Sequence, residues 1–186
     1  MNVSEIIRES INTKILLLDE KQIFAIQKMG EIIVHALHEG KTIFMAGNGG
    51  SAADAQHFAA ELSGKFETER PGLRALALTA NTSNITAIGN DFGFNKIFSR
   101  QIEGLGSQGD VLIGISTSGN SQNIIEAMSS AKNKNMINLG LLGNDGGTIK
   151  NLCDFSCVVP SKNTARIQEC HILIIHILSA IADNAF

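Results

Sequence analysis

Four hydroxyl side chains follow a short apolar run in the middle of the sequence. The run, Val111–Ile115, predicts a strand that is buried on both faces. Gly119 lets the backbone approach a ligand closely, and Asn120 or Ser121 can cap a following helix, whose free N–H groups favour negative charge. The four hydroxyls belong to Ser116, Thr117, Ser118 and Ser121. Together these features predict a phosphate-binding loop. No lysine follows as in G-x-x-x-x-G-K-[ST], so a nucleotide loop of that class is excluded.

A second polar turn follows the predicted first strand, Thr42–Ala46. It consists of Gly47, Asn48, Gly49, Gly50 and Ser51. Ser51 is the expected helix cap, and Asp54 is its expected capping-box partner. Because ligands of open parallel sheets bind beyond the carboxyl ends of the strands, we expect this turn and the hydroxyl-rich loop to face one site.

Two pairs of side chains have the types that acid–base or metal chemistry requires. His57 and Glu61 are four residues apart on one predicted helix face, in an apolar setting where an idle carboxylate is costly. The alternative is a surface ion pair. Gln168 and His176 lie on the predicted last helix, and their side chains point in directions about 80° apart around the helix axis. A satisfied core histidine is the alternative for His176, and it is our interpretation of His171.

Composition limits the class of protein. The 186 residues predict one domain, residues 1–186, and a net charge of −3 without a basic block argues against nucleic acid as a partner. The three cysteines include no C-x-x-C pair, so we expect reduced thiols in a cytoplasmic protein. The apolar run 172–181 is too short to span a bilayer, and no signal pattern opens the sequence, so no membrane is expected.

Strands and helices alternate along the chain. Further strands are predicted at Leu73–Leu78, Ile137–Leu142 and Asp154–Val159, which with the first two specify a parallel α/β sheet. Two helices, broken near residues 19–21, occupy residues 2 to about 40 and are free to pack on another subunit. The last helix, from Asn163 or Thr164 to Asn184, is apolar nearly all round, which predicts a subunit interface. Asp91, in a short polar segment between glycine and aromatic residues, is either a helix cap or a ligand contact.

Three runs of sequence resemble one known family. They are Gly47–His57, Ile115–Ser121 and Arg166–His171, and they resemble the sedoheptulose 7-phosphate isomerases (phosphoheptose isomerases) of the sugar isomerase, or SIS, superfamily. The resemblance covers nearly the whole chain. It implies a three-layer, flavodoxin-like fold with a five-stranded parallel sheet and two leading helices. It also implies a homotetramer with sites shared between subunits.

The resemblance further implies a reaction and its residues. The family converts sedoheptulose 7-phosphate to D-glycero-D-manno-heptose 7-phosphate, which supplies nucleotide-activated heptose for lipopolysaccharide or capsule. By motif, Glu61 and His176 are the acid–base pair, and the hydroxyls of the loop hold the phosphate. The implied sugar contacts are Asn48, Gly49, Gly50, Glu61, Asn90, Asp91 and Gln168. The implied zinc ligands are His57, Glu61, Gln168 and His176. No nucleotide cofactor is implied.

The residues suit that chemistry. Moving a carbonyl between two carbons needs a base for the carbon-bound proton and an acid for the oxygen, and a carboxylate and an imidazole can supply both. The sequence does not assign which of Glu61 and His176 takes the carbon proton. Two alternatives remain open: a non-catalytic SIS binding module that acts through a partner, and an isomerase of another phosphosugar, such as a hexulose or arabinose phosphate.

Overall fold

A five-stranded parallel sheet forms the centre of the protein. A computed structural model describes residues 2–186, and its strand order is β2-β1-β3-β4-β5 with every neighbouring pair parallel. The strands are β1 (Ile43–Gly47), β2 (Ala75–Ala77), β3 (Val111–Ser116), β4 (Ile137–Gly143) and β5 (Phe155–Val159). The predicted α/β fold is therefore confirmed; β2 has half the expected length and β5 is one residue shorter than expected.

Helices cover both faces of the sheet. They are α1 (Val3–Ile15), α2 (Glu20–His38), α3 (Gly50–Ser63), α4 (Thr82–Phe92), α5 (Ser99–Leu105), α6 (Gln122–Asn133), α7 (Gly147–Lys150) and α8 (Thr164–Asp183). The break predicted near residues 19–21 lies where a short 3-10 turn, Leu16–Leu18, ends and the Asp19 carboxylate accepts from the N–H of Lys21. Asn163 caps α8 as predicted, because its side chain accepts from the N–H of Ala165.

The alternation of side chains along β3 creates two cores. Val111, Ile113 and Ile115 pack against α2, α3 and α8, whereas Leu112 packs against α5 and α6 on the opposite face. Gly114, on that opposite face, leaves the space that the Met128 side chain of α6 occupies. Both faces of β3 are buried, in agreement with its apolar sequence up to Ser116 at its end.

Helix α8 is the most apolar helix of the chain that the structure describes. By length and composition it is long enough to cross a membrane, but half of its most apolar stretch is buried inside the domain. That burial is typical of a core helix. Some of its apolar residues remain partly exposed beside α2, where they line a groove of about 440 Å³. The apolar residues of the groove are Leu17, Leu18, Ile23, Ile26, Leu173, Ile177 and Ile181.

Helix α1 exposes a stripe of apolar side chains. Val3, Ile7, Ile11 and Ile15 recur every four residues, and each is more than half exposed. Because residues four apart lie on one side of a helix, these side chains form a continuous apolar face. Such a continuous exposed apolar face is typical of a surface that another protein covers.

A glutamine of α2 contacts the outer strand β5. The Gln22 Oε1 atom lies 3.3 Å from the N–H nitrogen of Val158 and 3.1 Å from the Cys157 sulfur, and it accepts from both. At the other side of the sheet, β2 has three residues.

Candidate active site

The hydroxyls after β3 form a hydrogen-bonded cluster. The Ser116 Oγ lies 2.9 Å from the Ser121 Oγ and 3.4 Å from the Ser118 Oγ, and it accepts from the N–H of Gly119. Ser121 precedes α6 as predicted, but its hydroxyl bonds to Ser116 instead of capping the helix. Several O–H and N–H donors therefore meet at the N-terminus of α6, which suits an anion such as phosphate.

A neighbouring turn holds the hydroxyl-rich loop in place. The Asn120 Oδ1 accepts from the N–H and the hydroxyl of Thr148, and the Asn144 side-chain amide donates to the Thr117 carbonyl at 2.8 Å. Gly119 lies so close to Gly146 that a Cβ atom on Gly119 would clash with the Gly146 main chain. A polar cavity of about 490 Å³ opens beside these loops, with Ser118 and Lys162 in its wall. The sequence indicated the loop itself but not this support from the β4–α7 turn.

The glycine turn after β1 lies beside the hydroxyl-rich loop. The side-chain amides of Asn48 and Asn123 exchange two hydrogen bonds, of 2.9 and 2.8 Å, which join the turn to the first turn of α6. Asn123 was missed by the sequence analysis, since nothing in its surroundings distinguishes it from an ordinary helix residue. Helix α3 begins at Gly50, with Gly49 (φ +56°) as its N-cap, so the expected Ser51 cap and its capping box are wrong.

Gln168 of α8 belongs to the same region. Its amide lies against Gly50, where a Cβ atom would clash with it. We use the name rim cluster for the residues at this edge of the sheet: Asn48, Gly49, Gly50, Ser116, Thr117, Ser118, Ser121 and Gln168. The rim cluster thus contains the expected phosphate contacts and most of the expected sugar contacts.

Two histidines and a glutamate converge further along α3 and α8. The His57 Nε2 lies 2.9 Å from the Glu61 Oε1 and 3.2 Å from the His176 Nε2. We call these three residues the histidine–glutamate cluster. Glu61 and His176 are partly buried, while His57 is more exposed. Helices α3 and α8 of a single chain therefore bring Glu61 and His176 together, as predicted.

The histidine–glutamate cluster has the donors of a metal site. One ligand atom from each residue lies within 4.8 Å of the other two. Zinc–ligand bonds of about 2.0–2.1 Å with tetrahedral angles place neighbouring ligand atoms about 3.3 Å apart, close to the two short distances above. Two imidazoles and a carboxylate are also a common zinc donor set. The cluster therefore fits a divalent metal, with one coordination position left for a further ligand.

Asp54 lies one turn before His57 on α3. Burial raises the pKa of its carboxyl group to about 6, although the nearby His57 acts in the opposite direction. The Asp54 Oδ2 atom is buried without a hydrogen-bond partner. His171 is fully buried, as expected of a core histidine, and its Nε2 lies 3.1 Å from the Leu142 carbonyl oxygen. It is only half satisfied, because its Nδ1 is buried without a hydrogen-bond partner.

The expected site residues do not all meet within one chain. Gln168 and His176 are separated by eight residues of α8, or about 12 Å along the helix axis. Glu61 lies eleven residues beyond Gly50, or about 16 Å along α3. Asn90 and Asp91 are exposed at the end of α4 and hydrogen-bond to each other. One chain thus presents the rim cluster, the histidine–glutamate cluster and this exposed pair as three separate groups.

Comparison with known proteins identifies the class first. The family model described as SIS domain matches residues 8–143, which is well over half of the chain. This match agrees with the parallel sheet and with the hydroxyl-rich loop after β3. The chain is therefore an SIS-domain protein.

Relatives of high sequence identity show the family within this class. Phosphoheptose isomerase 1 of Campylobacter jejuni is 58% identical over 161 residues, which cover 87% of each chain. The structure of phosphoheptose isomerase GmhA from Neisseria gonorrhoeae has a TM-score of 0.92 and 45% identity, and covers 98% of this chain and 97% of that one. A phosphoheptose isomerase structure from Francisella tularensis has a TM-score of 0.94 and 39% identity, and covers 98% and 96%. This chain belongs to the phosphoheptose isomerase family.

Proposed function

We propose that this protein interconverts sedoheptulose 7-phosphate and D-glycero-D-manno-heptose 7-phosphate, a ketose and an aldose. The observation that carries the proposal is the convergence of Glu61 and His176 around His57. A non-catalytic binding module has no use for such a group, whereas an isomerase needs both a base and an acid. The proposed role of the product is to supply heptose for lipopolysaccharide or capsule.

Incubating the purified protein with sedoheptulose 7-phosphate tests the reaction. We expect the aldoheptose phosphate to accumulate until equilibrium. A panel of ketose phosphates with five or six carbons, assayed in parallel, tests the substrate. Faster turnover of a shorter sugar would contradict the proposed substrate while leaving the reaction type intact. Absence of turnover with every sugar would contradict the isomerase itself.

The rim cluster would hold the phosphate of the substrate. Ser116, Thr117, Ser118 and Ser121 supply hydroxyl groups, and the first turn of α6 supplies free N–H groups. Asn48, Gly49, Gly50 and Gln168 would contact the sugar, and Asn90 and Asp91 would complete the contacts. The Asn48 amide is already paired with Asn123, so Asn48 would contribute chiefly through the main chain of its turn.

Glu61 and His176 would move the protons. One takes the proton from the carbon next to the carbonyl and the other gives a proton to the carbonyl oxygen, so that an enediol links ketose and aldose. His57, Glu61 and His176 would hold a zinc ion. When bound, zinc supplies Lewis-acid polarisation of a carbonyl oxygen. His57, whose Nε2 lies between the other two ligand atoms, would also orient Glu61.

We further propose that each active site combines two copies of the chain. A seven-carbon chain with bonds of about 1.5 Å spans less than about 10 Å. That is shorter than the separation of about 16 Å along α3 between Gly50 and Glu61. The rim cluster of one copy and the histidine–glutamate cluster of a neighbouring copy would therefore together form one active site. Gln168 would reach the zinc site in the same way, as the fourth ligand from a neighbouring copy.

The apolar surfaces support this assembly. The stripe on α1 and the groove between α2 and α8 are the exposed apolar faces that a second copy would cover. The residues before about 40 would thus form the oligomer interface of a homotetramer, with residues 1–186 as one domain. Size-exclusion chromatography with light scattering tests the tetramer, and a monomer of 19.9 kDa would contradict it.

A cytoplasmic location is proposed on the chemistry of the cysteines. All three are free, and burial raises the pKa of the Cys153 and Cys157 thiols to about 12. Such thiols stay protonated and unreactive in a reducing compartment.

A further inference from the structure

A buried ion pair joins the C-terminal ends of the two helices that carry the histidine–glutamate cluster. Arg70 lies between α3 and β2, and Asp183 is the last residue of α8. The Arg70 Nε lies 2.6 Å from the Asp183 Oδ1, and the two side chains are only 1% and 3% exposed. No other Arg or Lys ion pair in residues 2–186 has both side chains buried.

The same guanidinium holds the main chain of Glu61. The Arg70 Nη2 donates to the Glu61 carbonyl at 2.8 Å, and Nη1 donates to the Leu62 carbonyl at 2.9 Å. These carbonyls belong to the last turn of α3, where the helix supplies no N–H partners of its own. The planar fork of arginine can satisfy a carboxylate and two carbonyls at once, which lysine cannot.

Asp183 fixes the segment that follows α3. Its Oδ2 accepts from the N–H groups of Glu67 and Thr68, at 2.7 and 2.9 Å. Burial alone would raise the pKa of Asp183, but these two N–H groups and Arg70 hold the pKa at about 2, so the carboxylate stays charged. Phe66, which belongs to this segment, stacks on the His176 imidazole with ring centroids 5.5 Å apart.

We propose that Arg70 is a positioning residue that sets the separation of Glu61 and His176, because its buried guanidinium ties the ends of both helices together and, through Asp183, also fixes the Phe66 segment. The proposal rests on the roles assigned above to Glu61 and His176. The two residues lie on helices that are far apart in the sequence, so their separation depends on how α3 and α8 are joined. Small displacements of reacting groups lower rates strongly, so a rigid tie between the helices favours turnover.

The substitution Arg70→Lys tests this role with zinc-loaded enzyme, well below the melting temperature. Lysine keeps the charge but cannot make all three contacts, so we expect kcat to fall about tenfold or more. KM for sedoheptulose 7-phosphate should stay within about twofold, because the rim cluster holds the phosphate separately. Arg100→Lys is the control, since Arg100 forms an exposed pair with Glu103 and should keep the wild-type kcat.

A second measurement distinguishes positioning from stability alone. In protein with 13C-labelled histidine, the His176 ring resonance senses the ring current of Phe66. It should shift in Phe66→Leu and, to a similar position, in Arg70→Lys. Phe66→Leu leaves the buried ion pair intact, so it also tests the proposal if Arg70→Lys does not fold: its kcat should fall several-fold with unchanged KM.

Three outcomes would overturn the proposal. They are a folded Arg70→Lys variant with wild-type kcat, an unshifted His176 resonance in that variant, and a Phe66→Leu variant with wild-type kcat. Full activity of Glu61→Gln would instead contradict the proposed acid–base roles. The two failures are therefore distinguishable in one set of assays.

Discussion

The Nε2 atoms of His57 and His176 lie 3.2 Å apart, although 119 residues separate the two histidines. Both helices begin at the edge of the sheet where β1 and β5 end, and both run back over the same face. Gln168 of α8 contacts Gly50 of α3, and His57 and His176 lie seven and eight residues beyond this contact, so the two imidazoles meet.

Replacing the proposed acid–base residues should nearly abolish turnover. Glu61→Gln and His176→Gln keep side-chain size but remove proton transfer, so kcat should fall about a hundredfold or more in each. Steady-state assays with sedoheptulose 7-phosphate measure this. Glu103→Gln, an exposed carboxylate on α5, is the control and should have wild-type kcat. A fully active variant of either residue would remove its proposed role.

Zinc content should depend on the histidine–glutamate cluster. Protein prepared without added metal, or reloaded after chelation, should contain about one zinc ion per chain. His57→Ala should contain almost none, because two of the short ligand distances involve His57. His35→Ala, an exposed histidine on α2, serves as the control. Metal analysis by mass spectrometry provides the comparison, and equal zinc in all three proteins would disprove the site.

Mixing two impaired variants, assayed well below KM, should give more activity than either variant alone if sites are shared between copies. Ser116→Ala damages the rim cluster and Glu61→Gln damages the histidine–glutamate cluster. After joint refolding, random assortment should leave about a quarter of the sites with both parts intact. The control is a mixture of Glu61→Gln with His176→Gln, which damages one cluster twice and should stay inactive. No recovery in the first mixture would place each site within one chain.

Removing one hydroxyl from the proposed phosphate contacts should weaken substrate binding. Ser118→Ala should raise KM about tenfold while kcat changes little, because loss of a hydrogen bond to a charged group costs about 1.5–3 kcal/mol. Ser129→Ala is the control, since its hydroxyl donates to the Ile125 carbonyl within α6. A drop in kcat at unchanged KM would show that Ser118 acts in the chemical step instead.

Acid should destabilise the protein through His171. Burial lowers the pKa of His171 to about 4, while the hydrogen bond to Leu142 opposes this shift, and the unfolded chain has a pKa near 6.5. Between these values the unfolded state binds more protons, so stability is complete above pH 6.5 and falls by up to about 3 kcal/mol towards pH 4. Denaturant unfolding as a function of pH measures the slope. His171→Gln keeps a donor for Leu142 but does not titrate, so it should show a smaller slope.

Much of the fold could be predicted from the sequence. Apolar β-branched runs such as Val111–Ile115 predict buried strands, and polar turns after them predict helix starts, so their alternation indicated a parallel α/β sheet. The three layers were implied by the family resemblance, and the strand order was not predicted. The expected Ser51 cap failed because Gly49 takes a positive φ and serves as the cap, which lets the helix begin two residues earlier. Short-range side-chain chemistry does not reveal such a backbone choice.

The site was predicted less completely, for a physical reason. Spacing along one helix relates His57 to Glu61, but only the packing of α3 on α8 relates either of them to His176. Asn123, Thr148 and Arg70 act through contacts with residues distant in the sequence, and no local pattern indicates them. Helical periodicity indicated that Gln168 and His176 point in similar directions, but it does not indicate how far apart they lie along the helix axis.

Both borders of the sheet are unsuited to receiving another strand. On one side the Val158 N–H donates to the Gln22 side chain and is not free to pair with another strand. On the other side β2 has only three residues with which another strand could pair. A free border of a sheet invites edge-to-edge aggregation, and a side-chain plug or a very short strand prevents it. Growth into fibrils by strand addition is thereby discouraged.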